Sequence, residues 1–444
     1  MENYEIEREP LVRPKTSRGP PDRYYSVYFI FMFMGMACLL PWNFFITAKE
    51  YFQFKLRNTS LPADIKYNDK SVITTDQALF ESYLSIVSML TNLVFAILTT
   101  IFIRSIPLKL RMVVSFIIVS VVFMGTTALT KIDTDEWQYT FYALTLASAA
   151  VIMGSTAVSQ GSVMGLSCIF PTMYTQANMI GQSVGGTFAA VAKILSISGN
   201  GGVTDSAFGY FLTATMVTVL SLGAYGLLYK LRFSRFHLSN QIDTSPHVNN
   251  EIPSYKEIVG NREYFTSIFK KTWQLSFSCF MTFMISLSCF PAICSSIQAV
   301  HYKQGDPWTD TYFSSVVCFL MFNVGDCIGR LFTGWFDRPS PQMKYVLMFF
   351  SIIRIVYIPL LLACNIQNGT ERSIPIVFNH DAYPIVFILT LGISNGYLST
   401  LSLMFAPTQV PIEQAEGVGV LMSCALTVGL TAGSLLSLLL LKLV

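Results

Sequence analysis

Asp326 and Arg330 stand four residues apart in the stretch FNVGDCIGR. On an α-helix that spacing sets carboxylate and guanidinium on one face, within reach of each other. The flanking residues are apolar, so the pair falls inside a candidate membrane span. There each charge costs about 2.5–3.5 kcal/mol on insertion scales unless it is paired or faces a wet cavity. Two uses stay open on residue type alone. The couple is either an internal ion pair that fixes helix packing, or part of a cavity wall that binds a polar solute. Asn323 shares that face and adds an amide. Arg354 and Lys193 are further basic residues in apolar runs, for which snorkelling or a packing pair is the simpler account.

Two more clusters have suitable chemistry. In LLPWNFFITAKEYF, Pro41 removes a helix hydrogen bond, while Trp42 offers a stacking face and Asn43 an amide. An aromatic belt residue at the end of a span is the simpler role for Trp42. In SQGSVMG, the amide of Gln160 faces either a neighbouring helix or a solute.

Other chemistries lack their parts. The histidines (His237, His247, His301 and His380) are scattered near loops or span ends, which argues against an enzyme. The nine cysteines fall almost entirely in apolar runs with no CxxC pair, and read as small buried hydrophobes. No metal or cofactor is expected. A net charge of +3 without a basic, aromatic-interleaved stripe gives no reason to expect nucleic acid.

Of 444 residues, 52% are hydrophobic and 12% charged, about half the charge of a soluble domain. The mean hydropathy of +0.51 agrees with a chain solvated largely by lipid. Eleven runs are long enough to span a bilayer: 24–47, 79–103, 110–130, 138–164, 173–199, 207–230, 273–299, 310–336, 344–364, 382–405 and 415–441. The first is too long for a signal peptide and is expected to stay as a span. This reads as an all-α polytopic membrane protein with a cytoplasmic tail (1–23), a six-helix bundle (24–230), a cytoplasmic linker (231–272) and a five-helix bundle (273–444). A six-plus-five split suits the two-bundle layout of many transporters, although an ordinary linker explains the loop as well.

A cytoplasmic N-terminus puts Arg8, Arg13, Lys15, Arg18 and Arg23 inside, with Arg104, Lys109, Arg111 and the basic linker. The 48–78 loop, with five basic residues, runs against that rule. The two glycosylation sequons, at Asn58 and Asn368, then both face outside. Gly181 and Gly185 have the GxxxG spacing of closely packed helices.

PWNFFITAKEYF (41–52), QGSVMGLSCIFP (160–171), FNVGDCIGRLFTGWF (322–336) and SNGYLSTLSLMFAP (394–407), with Glu413 and Glu416 following, together resemble the equilibrative nucleoside transporter family. The resemblance runs from the first helix to the last, and the 322–336 stretch is its most specific part. It implies an eleven-helix, major-facilitator-like fold with a cytoplasmic N-terminus and an external C-terminus. It implies facilitated, bidirectional passage of purine and pyrimidine nucleosides. By resemblance, Asp326 and Arg330 contact the ribose hydroxyls and Gln160 contacts the base. Trp42 and Asn43 shape the permeation path, and Phe319 and Asn323 lie near the site. The chemistry suits a ribose diol, whose hydroxyls lie about 2.8 Å apart and can meet one acceptor and one donor.

Departures from the family pattern are Lys193 in place of an apolar residue and Thr156 in place of Gly or Ser, and Ile46 stands where one relative has methionine. The last two bear on inhibitor sensitivity. A plasma-membrane location is expected. The Glu7–Val12 stretch, an imperfect acidic-dileucine-like signal, makes an endolysosomal membrane the alternative. Expected partners are nucleosides and the bilayer, with no obligatory protein partner. Rival readings within the family are an organic-cation or monoamine carrier and a proton-coupled nucleoside carrier.

Overall fold

The computed structural model describes residues 20–59, 74–198, 202–242, 255–336, 339–366 and 374–441. The second sequon, the 1–19 tail with its acidic-dileucine-like stretch, Lys66, Lys70, Pro246, His247 and Pro253 lie outside the described residues.

Among the described residues, eleven helices are long and apolar enough to cross a membrane, one for each expected run. They are α1 (Arg23–Thr47), α2 (Tyr83–Ile101), α3 (Leu108–Leu129), α4 (Asp135–Ile169), α5 (Thr172–Ser198), α6 (Val203–Leu228), α7 (Arg262–Ser295), α8 (Ser314–Phe332), α9 (Lys344–Leu362), α10 (Ala382–Gln409) and α11 (Ile412–Leu440). Among the described residues there is no β-strand, only two isolated bridges, Ile297 with Ile366 and Cys364 with Phe378. Val121, Met124, Met216, Leu220 and Leu438 are each more than half exposed. In water such faces would aggregate, whereas hydrocarbon solvates them, and helices leave no backbone group unpaired there.

Among the described residues the chain departs from a plain row of rods in several places. Phe170 turns extended before Pro171, which separates α4 from α5 by a single sharp corner. The linker is helical at both ends. A helix covers Arg232–Ile242, and the helix containing α7 starts at Tyr255, two residues after Pro253 in the chain. Hydropathy marks where lipid begins, and a helix continues past that point until a breaker stops it. The α9 span breaks at a 3₁₀ turn, Arg354–Val356, and resumes over Tyr357–Leu362. Pro359 has no N–H to offer the carbonyl one turn back, so the regular ladder fails there. The approach to α8 winds in wide π-type turns through Leu320 before tightening to an α-helix at Met321. Asp306 caps that approach, accepting from Thr309 N (2.8 Å) and Oγ1 (2.9 Å), which holds its carboxyl below the usual carboxylate range.

Residues 48–59 of the basic 48–78 loop are tied to the neighbouring spans. They form a short helix, Lys49–Lys55, followed by a turn. Lys55 Nζ donates to Ile132 O at 2.6 Å and Arg57 pairs with Asp135 at 2.6 Å.

Glycines set how closely the spans approach. A Cβ on Gly181 would lie 1.8 Å from Met32 O, and one on Gly185 3.3 Å from Met36 O, so α5 lies directly against the α1 backbone. Likewise a Cβ on Gly329 would lie 2.1 Å from Ile393 O, and one on Gly396 2.0 Å from Asp326 O, which seats α8 on α10. Between α1–α6 and α7–α11 the main packing runs are α5 against α8 and α10, and α11 against α2 and α4.

Replacement of Gly181 by valine is therefore expected to destabilise the protein by about 1–3 kcal/mol, read as a lower thermal midpoint in detergent. Gly209, with nothing within 4 Å of its would-be Cβ, is the matched control, and Gly209→Val should leave the midpoint near wild type. Equal midpoints for the two variants would contradict this packing.

Candidate functional site

The helical spacing of Asp326 and Arg330 does what it promised. Arg330 Nε donates to Asp326 Oδ2 at 2.7 Å, with both side chains buried. Further hydrogen bonds reach the pair from other helices. Asn395 Nδ2 on α10 donates to Asp326 Oδ1 at 2.7 Å, and Arg330 Nη1 donates to Met179 O on α5 at 2.8 Å. Gln176 Nε2 on α5 returns a hydrogen bond to Arg330 O at 3.1 Å. The pair thus stands where α8, α10 and α5 meet, on the seam between the first six spans and the last five.

Asp326 and Arg330 are only 5% and 3% exposed, so in this structure they do not line an open, wet cavity. Taken alone, this is the geometry of a packing ion pair. The cavity beside the α5–α8 seam, about 340 Å³, is apolar and open. It is lined by Val184, Thr187, Phe188, Val324, Cys327 and Ile328, none of which is a candidate residue. Those side chains lie on other faces of α5 and α8 than the ion pair.

The other candidates fall into two groups. Asn323 and Asn43 converge on Gly186 of α5, where a Cβ would lie 2.1 Å from Asn323 Oδ1 and 3.8 Å from Asn43 Nδ2. Each amide also donates to the carbonyl one turn back in its own helix, Asn323 to Phe319 O at 2.8 Å and Asn43 to Leu39 O at 3.2 Å. Phe319 is half-buried and meets Phe290 edge-on at 5.6 Å, and Phe290 stacks on Phe322 at 4.1 Å. Trp42 is half-buried beside Asn43 on α1. Gln160 is buried on α4 next to Gly161, whose would-be Cβ faces Thr99 and Val420. Among the described residues no hydrogen bond or ion pair joins Gln160 or Trp42 to the Asp326–Arg330 pair.

Several buried side-chain atoms have no hydrogen-bond partner, among them Thr156 Oγ1, one turn before Gln160, and Gln182 Nε2 and Ser183 Oγ on α5. Buried polar atoms left unpaired cost about 1–3 kcal/mol each, a debt that water or a polar solute removes. Lys193 is not embedded alone, since Nζ pairs with Glu50 at 2.7 Å. Asn58 is exposed.

Three residues that the sequence reading did not single out as site residues matter here: Asn395 and Gln176, described above, and Arg111. Arg111, at the start of α3, pairs with Glu416 at the start of α11 while its own side chain is almost wholly buried. Beside them Arg104 Cζ sits 5.4 Å above the Tyr264 ring. This ion pair joins the two groups of spans at the end that also holds the Arg232–Ile242 helix. At the opposite end Ser198 Oγ and Tyr312 OH are 3.0 Å apart. Among the described residues no cluster of three or more histidine, cysteine or acidic side chains is placed to hold a metal ion.

Known proteins match this chain along nearly its whole length. A family model described as "Nucleoside transporter" matches residues 146–442. Equilibrative nucleoside transporter 3 of Rattus norvegicus is 36% identical over 94% of this chain and 88% of its own. Equilibrative nucleoside transporter 1 of Homo sapiens is 32% identical over 95% and 98% respectively. Among solved structures, the human organic anion transporter MFSD10 superposes with a TM-score of 0.58 at 12% identity, covering 95% of both chains. The proton:xylose symporter XylE gives 0.57 at 10% identity, covering 91% of this chain and 86% of its own. The last two establish a major-facilitator-like fold and nothing finer. Sequence family and fold agree: the chain is a multi-pass membrane transporter and belongs to the equilibrative nucleoside transporter family.

Proposed function

We propose that this protein carries purine and pyrimidine nucleosides down their gradient by alternating access, with its N-terminus cytoplasmic and its C-terminus outside. The observation that carries the reading is the position of the Asp326–Arg330 pair, bonded across the seam between α8 and α5. A solute bound there touches both groups of spans (24–230 and 273–444), which is where a rocking carrier binds its cargo. The relatives are named for nucleosides, and a carboxylate beside a guanidinium offers the acceptor and donor that a ribose diol needs. Gln160 is assigned to the base, with Trp42, Asn43, Asn323 and Phe319 along the path. The closed geometry is read as one state of the cycle. In it the Arg111–Glu416 pair latches the linker end, and the sugar site is filled by protein.

A plasma-membrane address and glycosylation at Asn58 and Asn368 belong to the same proposal. The arginines at the seam and on α9 outnumber the acid between them, Asp326, which favours a neutral solute over an organic cation.

Uptake of labelled uridine and adenosine into proteoliposomes tests the assignment. Asp326→Ala and Arg330→Ala are each expected to lower uptake at least about a hundredfold, since each leaves the partner charge buried and alone. Wild-type uptake from either variant would show that the site is misassigned. Strong competition by serotonin with weak uridine uptake would favour a cation carrier instead.

The latch has its own test. Glu416→Gln should cut the uptake rate about tenfold, because Arg111 then keeps a buried charge without its partner. Exchanging the two, Arg111→Glu with Glu416→Arg, should recover part of the rate. An exchange no better than the single change would remove the latch from the cycle.

A further inference from the structure

Arg354 is a buried charge outside the proposed substrate contacts. It sits where α9 breaks, is only 2% exposed, and its guanidinium reaches α7 and α10. Nη1 donates to Thr282 O at 2.6 Å, Nε to Ser394 Oγ at 3.0 Å, and Nη2 to Leu391 O at 3.1 Å and to Ser286 Oγ at 2.7 Å. None of these acceptors is an acid. A buried arginine so held is costly and would not be needed merely to cross-link helices that glycines and serines already join.

The contact with Ser286 has a direction. A guanidinium only donates, so Ser286 Oγ accepts from it and must send its own proton elsewhere. That proton goes to Asn395 Oδ1 at 2.7 Å. With its oxygen so occupied, the Asn395 amide has one orientation left, and Nδ2 meets Asp326 Oδ1 at 2.7 Å. Were the amide reversed, its oxygen would face the carboxylate and its NH2 group would face Ser286, whose proton would then lose its acceptor. Every donor in the chain Arg354, Ser286, Asn395 points toward Asp326, and aligned donors polarise one another in a low dielectric.

We propose that Arg354 is a positioning residue for the sugar site. Through Ser286 and Asn395 it occupies Asp326 Oδ1 and thereby fixes which lone pairs the carboxylate offers to a ribose. This rests on the reading of Asp326 as the sugar-binding carboxylate. With Oδ2 already on Arg330, the acceptor directions left on Asp326 are few and fixed, so a sugar that presents both ring hydroxyls is favoured over one that lacks the 2′-hydroxyl. The relay is therefore a determinant of ribose over deoxyribose preference.

Purified variants in proteoliposomes, compared per reconstituted molecule for uridine and 2′-deoxyuridine, test this. Ser286→Ala cuts the relay while leaving both arginines and Asp326 in place. It is expected to raise the uridine KM about tenfold, the value of one hydrogen bond to a charged group, and to narrow the preference for uridine. Arg354→Gln should do the same, and Arg354→Lys should restore most of the loss. Asn395→Ala combined with Ser286→Ala should be no worse than either alone, because both interrupt one chain. Unchanged KM and unchanged preference in Ser286→Ala and Arg354→Gln would overturn the proposal. So would a lowered thermal midpoint with wild-type KM, which is what a packing role alone produces. If wild type fails to take up uridine, or Asp326→Ala transports like wild type, the underlying function is wrong and the relay falls with it.

Discussion

A carboxylate buried in a membrane-spanning helix must be held by donors on every accessible side, and much of this architecture serves that requirement at Asp326. One donor comes from its own helix, one turn on, as Arg330. The second comes from Asn395 on α10. Bringing in Arg330 creates a new demand, because a guanidinium has five N–H groups and only one is used by the carboxylate here. The Met179 carbonyl on α5 answers part of that demand, so the first six spans and the last five meet at a polar seam. Removing any one member leaves a buried polar group without its partner, which costs more than the bond itself contributed.

The seam is possible only because the helices come unusually close. Asn has a short side chain, and it reaches Asp326 because glycine faces backbone on both sides of the α8–α10 contact, at Gly329 against Ile393 and at Gly396 against Asp326. The same device seats α5 on α1 through Gly181 and Gly185. In lipid no hydrophobic effect presses helices together, so close packing and interhelical hydrogen bonds carry the association. Small residues and the polar network are therefore two parts of one solution.

This division decides what could be read from the chain. Spans were legible as runs of about 20 apolar residues, because bilayer thickness converts directly into sequence length. The Asp326–Arg330 contact was legible because it lies within one helix, where spacing gives direction. Asn395 was quoted only as part of a family-like stretch, since a contact between helices leaves no spacing for a reader to find. Arg354 was expected to snorkel or to make a packing pair, and it does pack, but against neutral acceptors gathered from two other helices. The helical ends of the linker and the break in α9 were missed because hydropathy reports the surrounding solvent, not the backbone ladder. Gln160 and Trp42 rest on resemblance alone, since no hydrogen bond among the described residues ties them to the ion pair.

A closed site occupied by its own side chains fits what a carrier has to do. In the proposed cycle a ribose arriving at Asp326 and Arg330 finds both already bonded and displaces the Met179 carbonyl, while Asn395 stays on Asp326 Oδ1. Exchange of one hydrogen bond for another of similar strength yields little net free energy, whereas pairing a buried polar group left unsatisfied is worth about 1–3 kcal/mol. Binding is then shallow, and release on the far side is as easy as capture on the near side. A site that held its charges unsatisfied when empty would bind tightly and let go slowly. In that cycle, internal partners for Asp326 and Arg330 both keep a bare charge out of the bilayer and keep the solute from being held fast.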